Sequence, residues 1–359
     1  MFTTPLIRAL RRAYPDARIS YLVEADAAPV VRNNQHLDEL IVAPRARGAR
    51  RLLDDLTLAR RLRAARFDLV LDLHGGPRSA WLTWASGAPE RIGYDIAGRQ
   101  WMYTRLVHRA RDLRPRHSVQ NQWDLLEAIP GWPGGAPDPA RDPVEMPVDP
   151  GAKARMDAKL LGAGVGADEE LVVLHVSAGN PFRRWPEAFF VEAACALAAG
   201  PRRRIVLSSG PSDREAASRI TAAARARLAP GQGTIVDLGE FDLQELRALV
   251  GRSRLFIGGD TGPLHIAAAT ETPIVGIYGP TLAVRSAPWR AGSLVTFSVE
   301  PADLPCRPCD QRVCAPGDFR CLTRLAPERV VAAAEAALAG RGAMPPLPAV
   351  LDVMQGSDA

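Results

Sequence analysis

Residues 255–281 restrict the fold more than any other part of this chain. They read LFIGGDTGPLHIAAATETPIVGIYGPT, and the apolar run at 255–257 predicts a short buried strand. A glycine-rich turn at 258–263 comes next, and an alanine-rich helical pattern follows at 264–270. A second apolar strand at 273–278 ends in Gly-Pro-Thr. Strand, helix and strand in such close succession form a βαβ unit, which predicts a parallel sheet covered by helices.

The turn in this unit has the features of a phosphate-binding site. A turn between a strand and a helix N-terminus presents backbone N–H groups and the positive end of the helix dipole, and both attract phosphate. Asp260 and Thr261 add a carboxylate and a hydroxyl just before Gly262 and Pro263. A tight turn without any ligand is the alternative. The second Gly-Pro-Thr turn, after the next strand, favours the phosphate site.

The alternation of strand and helix patterns extends over most of the chain. Further strands are predicted at residues 18–23, 38–42, 68–73, 171–176, 204–208 and 234–237. Further helices are predicted at residues 4–13, 50–65, 151–161, 186–199, 213–228 and 243–251. These patterns predict an α/β protein with parallel sheets.

A stretch rich in proline and glycine, residues 129–150, interrupts this alternation and predicts a linker. We therefore expect an N-terminal domain over 1–150 and a C-terminal domain over 151–339. Residues 340–359 are expected to form a disordered tail. In doubly wound sheets ligands bind beyond the carboxyl ends of the strands, so the site should lie in a cleft between the domains.

The charge of the chain is unevenly distributed. Residues 1–120 contain 21 arginines, no lysine and 12 acidic residues. This excess indicates either a solvated surface or an anionic partner, since arginine suits phosphate and carboxylate. Nucleic acid is a weaker candidate because no interleaved aromatic motif accompanies the arginines. The sequence contains no apolar stretch long enough for a membrane span and no signal peptide, which predicts a cytoplasmic protein.

Several segments together resemble a known family. The string DTGPLHIAA at 260–268 resembles the Asp-Ser/Thr-Gly-Pro-x-His-x-Ala-Ala signature of glycosyltransferase family 9, the ADP-heptose:lipopolysaccharide heptosyltransferases. LHVSAGNPFRRWPEAFF at 174–190 resembles the segment that opens the second domain of that family. DLHG at 72–75 with RIGY at 91–94 resembles a first-domain block, and TTPLIRAL at 3–10 resembles the first helix. The resemblance covers nearly the whole chain.

The resemblance implies the GT-B fold, in which two doubly wound Rossmann-like domains face each other across a cleft. It also implies an inverting glycosyltransferase that moves a heptose from ADP-heptose to a lipopolysaccharide inner-core acceptor, an anionic lipid-linked glycan. A base would deprotonate the acceptor hydroxyl while the cleft stabilises the charge on the departing ADP. Such an enzyme needs no metal cofactor. It would be cytoplasmic and peripheral to the inner membrane, where a basic first domain suits an anionic surface.

The same resemblance implies which residues bind the donor. The diphosphate turn of the family corresponds here to Asp260, Thr261, Gly262, Pro263 and His265. A packed structural histidine is the alternative for His265.

Two other loops are implied to complete the donor site. Arg183 is at the position of a basic residue that contacts the diphosphate, and the backbone of Ser177 could assist. An acidic residue after the strand at 204–208 would bind the ribose; Glu215 is the first choice and Asp213 the second. Capping of the following helix is the alternative for Asp213, and an ordinary exposed cation is the alternative for Arg183.

On the acceptor side the candidates are Thr3, Thr4 and His74. The family also begins with a strand and a Gly-Asp turn whose aspartate is the proposed general base. Here Met1 stands where that turn should already have ended, so we expect the base upstream of Met1, before a start site assigned too far downstream. A natural short form with impaired chemistry is the alternative.

Four cysteines form a compact motif near the C-terminus. Cys306, Cys309, Cys314 and Cys321 have the spacing C-x2-C-x4-C-x6-C. Four thiolates can close a tetrahedral zinc site, but only one C-x2-C pair is present. Free thiols are therefore expected, with zinc and disulfides as alternatives.

Two other functions stay open at the level of sequence. One is a relative that binds a nucleotide sugar without catalysing transfer. The other is a sugar-nucleotide epimerase of the same two-domain architecture, which would need its own acid–base pair in the cleft.

Overall fold

The computed structural model describes residues 1–44, 48–108, 116–166, 168–176, 180–200 and 202–340. Within these residues every pair of neighbouring strands is parallel, as the sequence predicts for an α/β protein. No helix of the described residues is long and apolar enough to cross a bilayer. Ser177 and residues 341–359, which are all of the predicted tail except Gly340, lie outside this part of the chain.

The first 127 residues supply five strands and five helices in the described ranges. The strands are β1 Ser20–Glu24, β2 Glu39–Ala43, β3 Leu69–Leu71, β4 Glu90–Tyr94 and β5 Arg105–Val107. The helices are α1 Thr4–Ala13, α2 Ala28–Val31, α3 Gly48–Ala64, α4 Pro77–Ala85 and α5 Ser118–Glu127. Among the described residues β1 pairs with β2 in one small sheet, and β3, β4 and β5 form another.

The rest of the chain builds a larger sheet. Its strands are β6 Glu170–His175, β7 Arg203–Ser208, β8 Thr234–Val236, β9 Leu255–Gly259, β10 Ile274–Ile277 and β11 Thr296–Val299. The helices are α6 Pro150–Gly162, α7 Glu187–Leu197, α8 Arg214–Arg227, α9 Leu243–Arg252, α10 Gly262–Ala267, α11 Ala283–Ser286, α12 Arg320–Thr323 and α13 Pro327–Leu338.

The order of these six strands locates the binding crevice. From one edge to the other the order is β11-β10-β9-β6-β7-β8. The first strand of this sheet, β6, lies in its middle. The chain adds β7 and β8 on one side of β6 and then crosses to the other side, where β9 pairs with β6. The reversal between β6 and β9 is a topological switch point, and ligands of open α/β sheets bind at the carboxyl ends of the strands there.

Residues 129–149 contain no helix or strand, and Pro150, the last residue of the predicted linker, begins α6. Asp142 is completely buried and pairs with Arg12 of α1. The indole of Trp289 donates a 2.8 Å hydrogen bond to the Asp142 carbonyl, and the N–H of Val144 donates to the Trp289 carbonyl at 3.1 Å. Met146 joins the same apolar core, which includes α1 residues as well as β6 and α10 residues. The linker thus ties the first half of the chain to the second.

Candidate functional site

Two pockets open along the carboxyl ends of the central strands. The larger has a volume of about 310 Å³ and is lined by residues that follow β6, β9 and β10, with contributions from the first half of the chain. The smaller, of about 250 Å³, lies over the end of β7. Arg183 lines both pockets, so the two join at its side chain.

The turn after β9 is shaped by close packing of its backbone. A Cβ atom at Gly258 would lie 2.9 Å from the Phe256 ring, so only glycine fits without a shift there. The N–H of Asp260 donates to the Ile277 carbonyl at 3.2 Å, which extends the β9–β10 pairing into the turn. Within the described ranges the N–H groups of Thr261 and Gly262 donate to no other group, and Gly262 is exposed. They are available to an anion at the start of α10.

Arg183 is held over this turn by groups from two other segments of the chain. Its NH1 group donates a 2.7 Å hydrogen bond to the carbonyl of Asp260 and is 3.6 Å from the carboxylate of the same residue. Its Nε donates to the side-chain oxygen of Gln311 at 2.7 Å, and that oxygen also accepts a 2.8 Å bond from Asn180. The guanidinium is therefore fixed in one orientation beside the α10 N-terminus.

Asp260, which is buried, and His265, which is partly buried, form a pair at the wall of the larger pocket. Their closest atoms, Oδ1 and Nε2, are 3.5 Å apart. Burial by itself raises the pKa of Asp260, but the contacts with His265 and Arg183 outweigh it, so the pKa lies below its usual range. The Nδ1 atom of His265 is buried without a hydrogen-bond partner among the described residues, a feature expected where a ligand or water completes a site.

The smaller pocket contains both of the acidic residues considered for ribose binding. Glu215 is exposed, whereas Asp213 is buried and pairs with Arg184 at 3.0 Å and with the Ser212 hydroxyl at 2.7 Å. The Asp213 side chain makes no capping hydrogen bond to α8, so the capping alternative is wrong. Because the Asp213 carboxylate already has two partners, Glu215 is the freer of the two for a ligand.

Sequence reasoning missed the contribution of the α5 N-terminus to the larger pocket. The Ser118 hydroxyl donates a 2.8 Å bond to the Arg285 carbonyl, and the ring of His117 bonds through Nε2 to the Ala287 carbonyl at 2.9 Å. Phe2 packs against both His117 and His265, with ring centroids 5.1 Å and 4.3 Å apart. Each contact joins residues more than a hundred positions apart, so no local pattern could have indicated it.

The three acceptor-side candidates occupy different environments. Thr4 is fully buried; its hydroxyl donates to the Met1 carbonyl and accepts from the N–H of Glu145, which gives it a packing role. The hydroxyl of Thr3 accepts a 2.8 Å bond from Tyr21. His74 is exposed on a loop that Asp72 fixes by accepting hydrogen bonds from two successive backbone N–H groups. Only His74 presents a free side chain to solvent.

The cysteine-rich segment covers the rim of the larger pocket, and Cys309 and Gln311 line it. Arg307 fastens the segment by donating to the carbonyls of Gly279 and Thr281 and to the carboxylate of Glu300. None of the five cysteines is paired in a disulfide in the structure. No group of three or more His, Cys, Asp or Glu side chains in the described residues is arranged to hold a metal ion.

The parallel sheets, with a pocket beside the switch point of the larger sheet, have the α/β architecture of the GT-B fold. A model of glycosyltransferase family 9 (heptosyltransferase) matches residues 56–317, more than half of the chain. The chain belongs to glycosyltransferase family 9.

Individual relatives agree with this assignment over almost their whole length. Lipopolysaccharide heptosyltransferase 3 of Escherichia coli is 29% identical over 319 residues, which are 87% of this chain and 88% of the relative. The fold is similar to that of the family 9 glycosyltransferase from Veillonella parvula, with a TM-score of 0.79, 22% identity and coverage of 94% and 93%. It is also similar to the ADP-heptose lipopolysaccharide heptosyltransferase II of E. coli, with a TM-score of 0.71, 21% identity and coverage of 94% of each chain.

Proposed function

We propose that this protein transfers a heptose from ADP-heptose to a lipopolysaccharide inner-core acceptor, with inversion at the anomeric carbon. The observation that carries the proposal is the position of Arg183, which lies between the two pockets and beside the free N–H groups of Thr261 and Gly262. A diphosphate placed there would leave the smaller pocket for the nucleoside and the larger for the sugar and acceptor. The names of the matching relatives, lipopolysaccharide heptosyltransferases, support this substrate class.

In this proposal the protein stabilises the departing ADP without a metal ion. Arg183 and the α10 N-terminus neutralise the charge that develops on the diphosphate as the glycosidic bond breaks. Asp260 holds Arg183 through its carbonyl and remains ionised because its pKa is lowered. Glu215 is proposed to bind the ribose hydroxyls. Heptose transfer that persists in the presence of a metal chelator would support stabilisation of the departing ADP by protein groups alone.

The experiment that tests the donor site is calorimetry of ADP binding to Arg183→Ala. We expect the free energy of ADP binding to become less favourable by about 1.5–3 kcal/mol, which is the scale of a charge-assisted hydrogen bond. Arg227→Ala, at the exposed end of α8 and outside both pockets, is the matched control. Unchanged ADP affinity would remove Arg183 from the site. Release of ADP from ADP-heptose in the presence of an inner-core acceptor tests the reaction itself, and UDP-sugar turnover without ADP-heptose turnover would contradict it.

A further inference from the structure

Large apolar side chains are exposed together on one side of the first half of the chain. On α3, Leu52, Leu53 and Leu56 are 67%, 65% and 46% exposed. Trp84 at the end of α4 is 44% exposed and Trp101 is 61% exposed, and their rings are in contact with centroids 5.5 Å apart. Isolated exposed leucines are common on soluble proteins, but a group that includes two tryptophans marks an interaction surface.

The apolar residues of α3 are buried in the second half of the helix and exposed in the first half. Leu58, Ala59 and Leu62 pack into a small core beneath the helix, together with Leu82 of α4. Leu52 and Leu56 are one helical turn apart and continue the row of Ala59 toward the start of the helix, where their side chains are exposed. This exposed part of α3 is what an external partner would cover.

The exposed leucines and tryptophans belong to one continuous surface. Arg78 of α4 donates to Asp55 of α3 at 2.9 Å, so the beginning of α4 lies beside the middle of α3. The Arg63 guanidinium of α3 lies against Gly87, just beyond the end of α4. The two helices therefore run side by side in the same direction. Because Arg63 is two turns beyond Leu56 on the same face, that face borders the α4 end where Trp84 lies.

Cationic side chains accompany this apolar surface. Arg50, Arg60 and Arg63 of α3 take part in no ion pair with any other described residue. Of the acidic residues nearby, Asp55 pairs with Arg78 and Glu90 with Arg105, and Asp54 lies one helical turn from Arg50 on α3. Arg60 and Arg63 consequently leave uncompensated positive charge beside the leucine and tryptophan side chains.

We propose that this surface, which we call the α3–α4 face (Leu52, Leu53, Leu56, Trp84 and Trp101 with the arginines of α3), docks the protein on an anionic lipid bilayer. Leucine side chains enter the acyl boundary, tryptophan rings remain at the headgroup level, and arginines meet lipid phosphates. This combination fits a bilayer better than a protein partner, since unpaired arginines beside the centre of a protein interface would need matched acids. The inference deepens the proposed function, on which it rests for the presence of a membrane-borne acceptor.

Flotation with vesicles tests the proposal without donor or acceptor. The full chain is mixed with vesicles of phosphatidylglycerol and phosphatidylethanolamine, or of phosphatidylcholine alone. We expect binding to the anionic vesicles only, and weaker binding at high salt because exposed charges are screened. Leu52→Ser with Leu56→Ser, Trp84→Ser with Trp101→Ser, and Arg60→Gln with Arg63→Gln should each reduce binding about tenfold or more.

Matched controls separate the α3–α4 face from general effects. Leu161→Ser removes a leucine of α6 that is 78% exposed and lies outside this face, and Arg227→Gln removes an exposed arginine of α8. Both should bind vesicles like the unchanged protein, and every variant should retain its ADP affinity as evidence of correct folding. Equal binding to phosphatidylcholine, or full binding by all three double variants, would overturn the proposal.

Association of the protein with itself is the other outcome that would overturn it. A concentration-dependent dimer in light scattering, abolished by Leu52→Ser with Leu56→Ser, combined with no vesicle binding, would identify the face as an interface between copies. A lack of heptose transfer would leave the vesicle result intact, so failure of the proposed function and failure of this inference are distinguishable.

Discussion

At the scale of single residues, Gln311 is the least expected member of the site. Its backbone φ is 59°, in the left-handed region that side chains other than glycine rarely adopt. Its side-chain oxygen accepts hydrogen bonds from Asn180 and from Nε of Arg183. Unusual backbone conformations are retained where the surrounding structure enforces them, often at functional sites. We infer that Gln311 acts as a positioning residue that orients the guanidinium of Arg183.

Replacement of Gln311 tests this role. Gln311→Leu removes the acceptor and should weaken ADP binding about tenfold, because the arginine loses one of the bonds that fix it. The double variant with Arg183→Ala should bind ADP no more weakly than Arg183→Ala alone, as expected for a residue that acts only through the arginine. Gln232→Leu, in a surface loop, is the control. Calorimetry of ADP binding to the two single variants and the double variant forms a double-mutant cycle. If the losses of binding free energy add, Gln311 acts independently of Arg183.

At the scale of elements, the sequence predicted the parts that depend on local pattern. Apolar runs with a glycine turn between them indicated β9, α10 and β10 correctly. β5 was not predicted because it has three residues and two of them are exposed. β11, with the sequence TFSV, shows an apolar residue only at alternate positions and is too short to stand out. The contacts of Gln311 and of the α5 N-terminus escaped prediction because they depend on how distant elements pack.

The cysteine-rich segment gives a prediction at the same scale. If its thiols are free, all four should react with a thiol reagent under native conditions, and the purified protein should contain no stoichiometric zinc. Cys321 should react most slowly, because burial and the neighbouring cysteines raise its pKa to about 11 and only the thiolate is reactive. Metal analysis and timed thiol titration measure both quantities. One equivalent of zinc, with a melting temperature that falls on chelation, would contradict the expectation.

At the scale of the whole molecule, the two halves of the chain are joined by contacts that depend on neutral histidine. The ring of His117 accepts the N–H of Val119 through Nδ1 and bonds the Ala287 carbonyl through Nε2. Burial lowers its pKa to about 4. Burial likewise lowers the pKa of His175, stacked on Phe256 beneath the site, to about 4. Both rings are therefore neutral in the folded protein at pH values well above 4.

These shifts predict that the free energy of unfolding decreases as the pH falls from about 6.5 to about 4. In that window the unfolded chain binds a proton at each histidine while the folded chain does not, so protonation favours unfolding; above pH 6.5 the contribution is fully present. His117→Asn keeps a residue able to cap α5 but cannot titrate, so denaturant unfolding should show a shallower pH dependence. His108→Asn replaces an exposed histidine and should leave the slope unchanged. An identical slope for His117→Asn and the unchanged protein would show that the ring titrates normally and that the joint between the halves tolerates its charge.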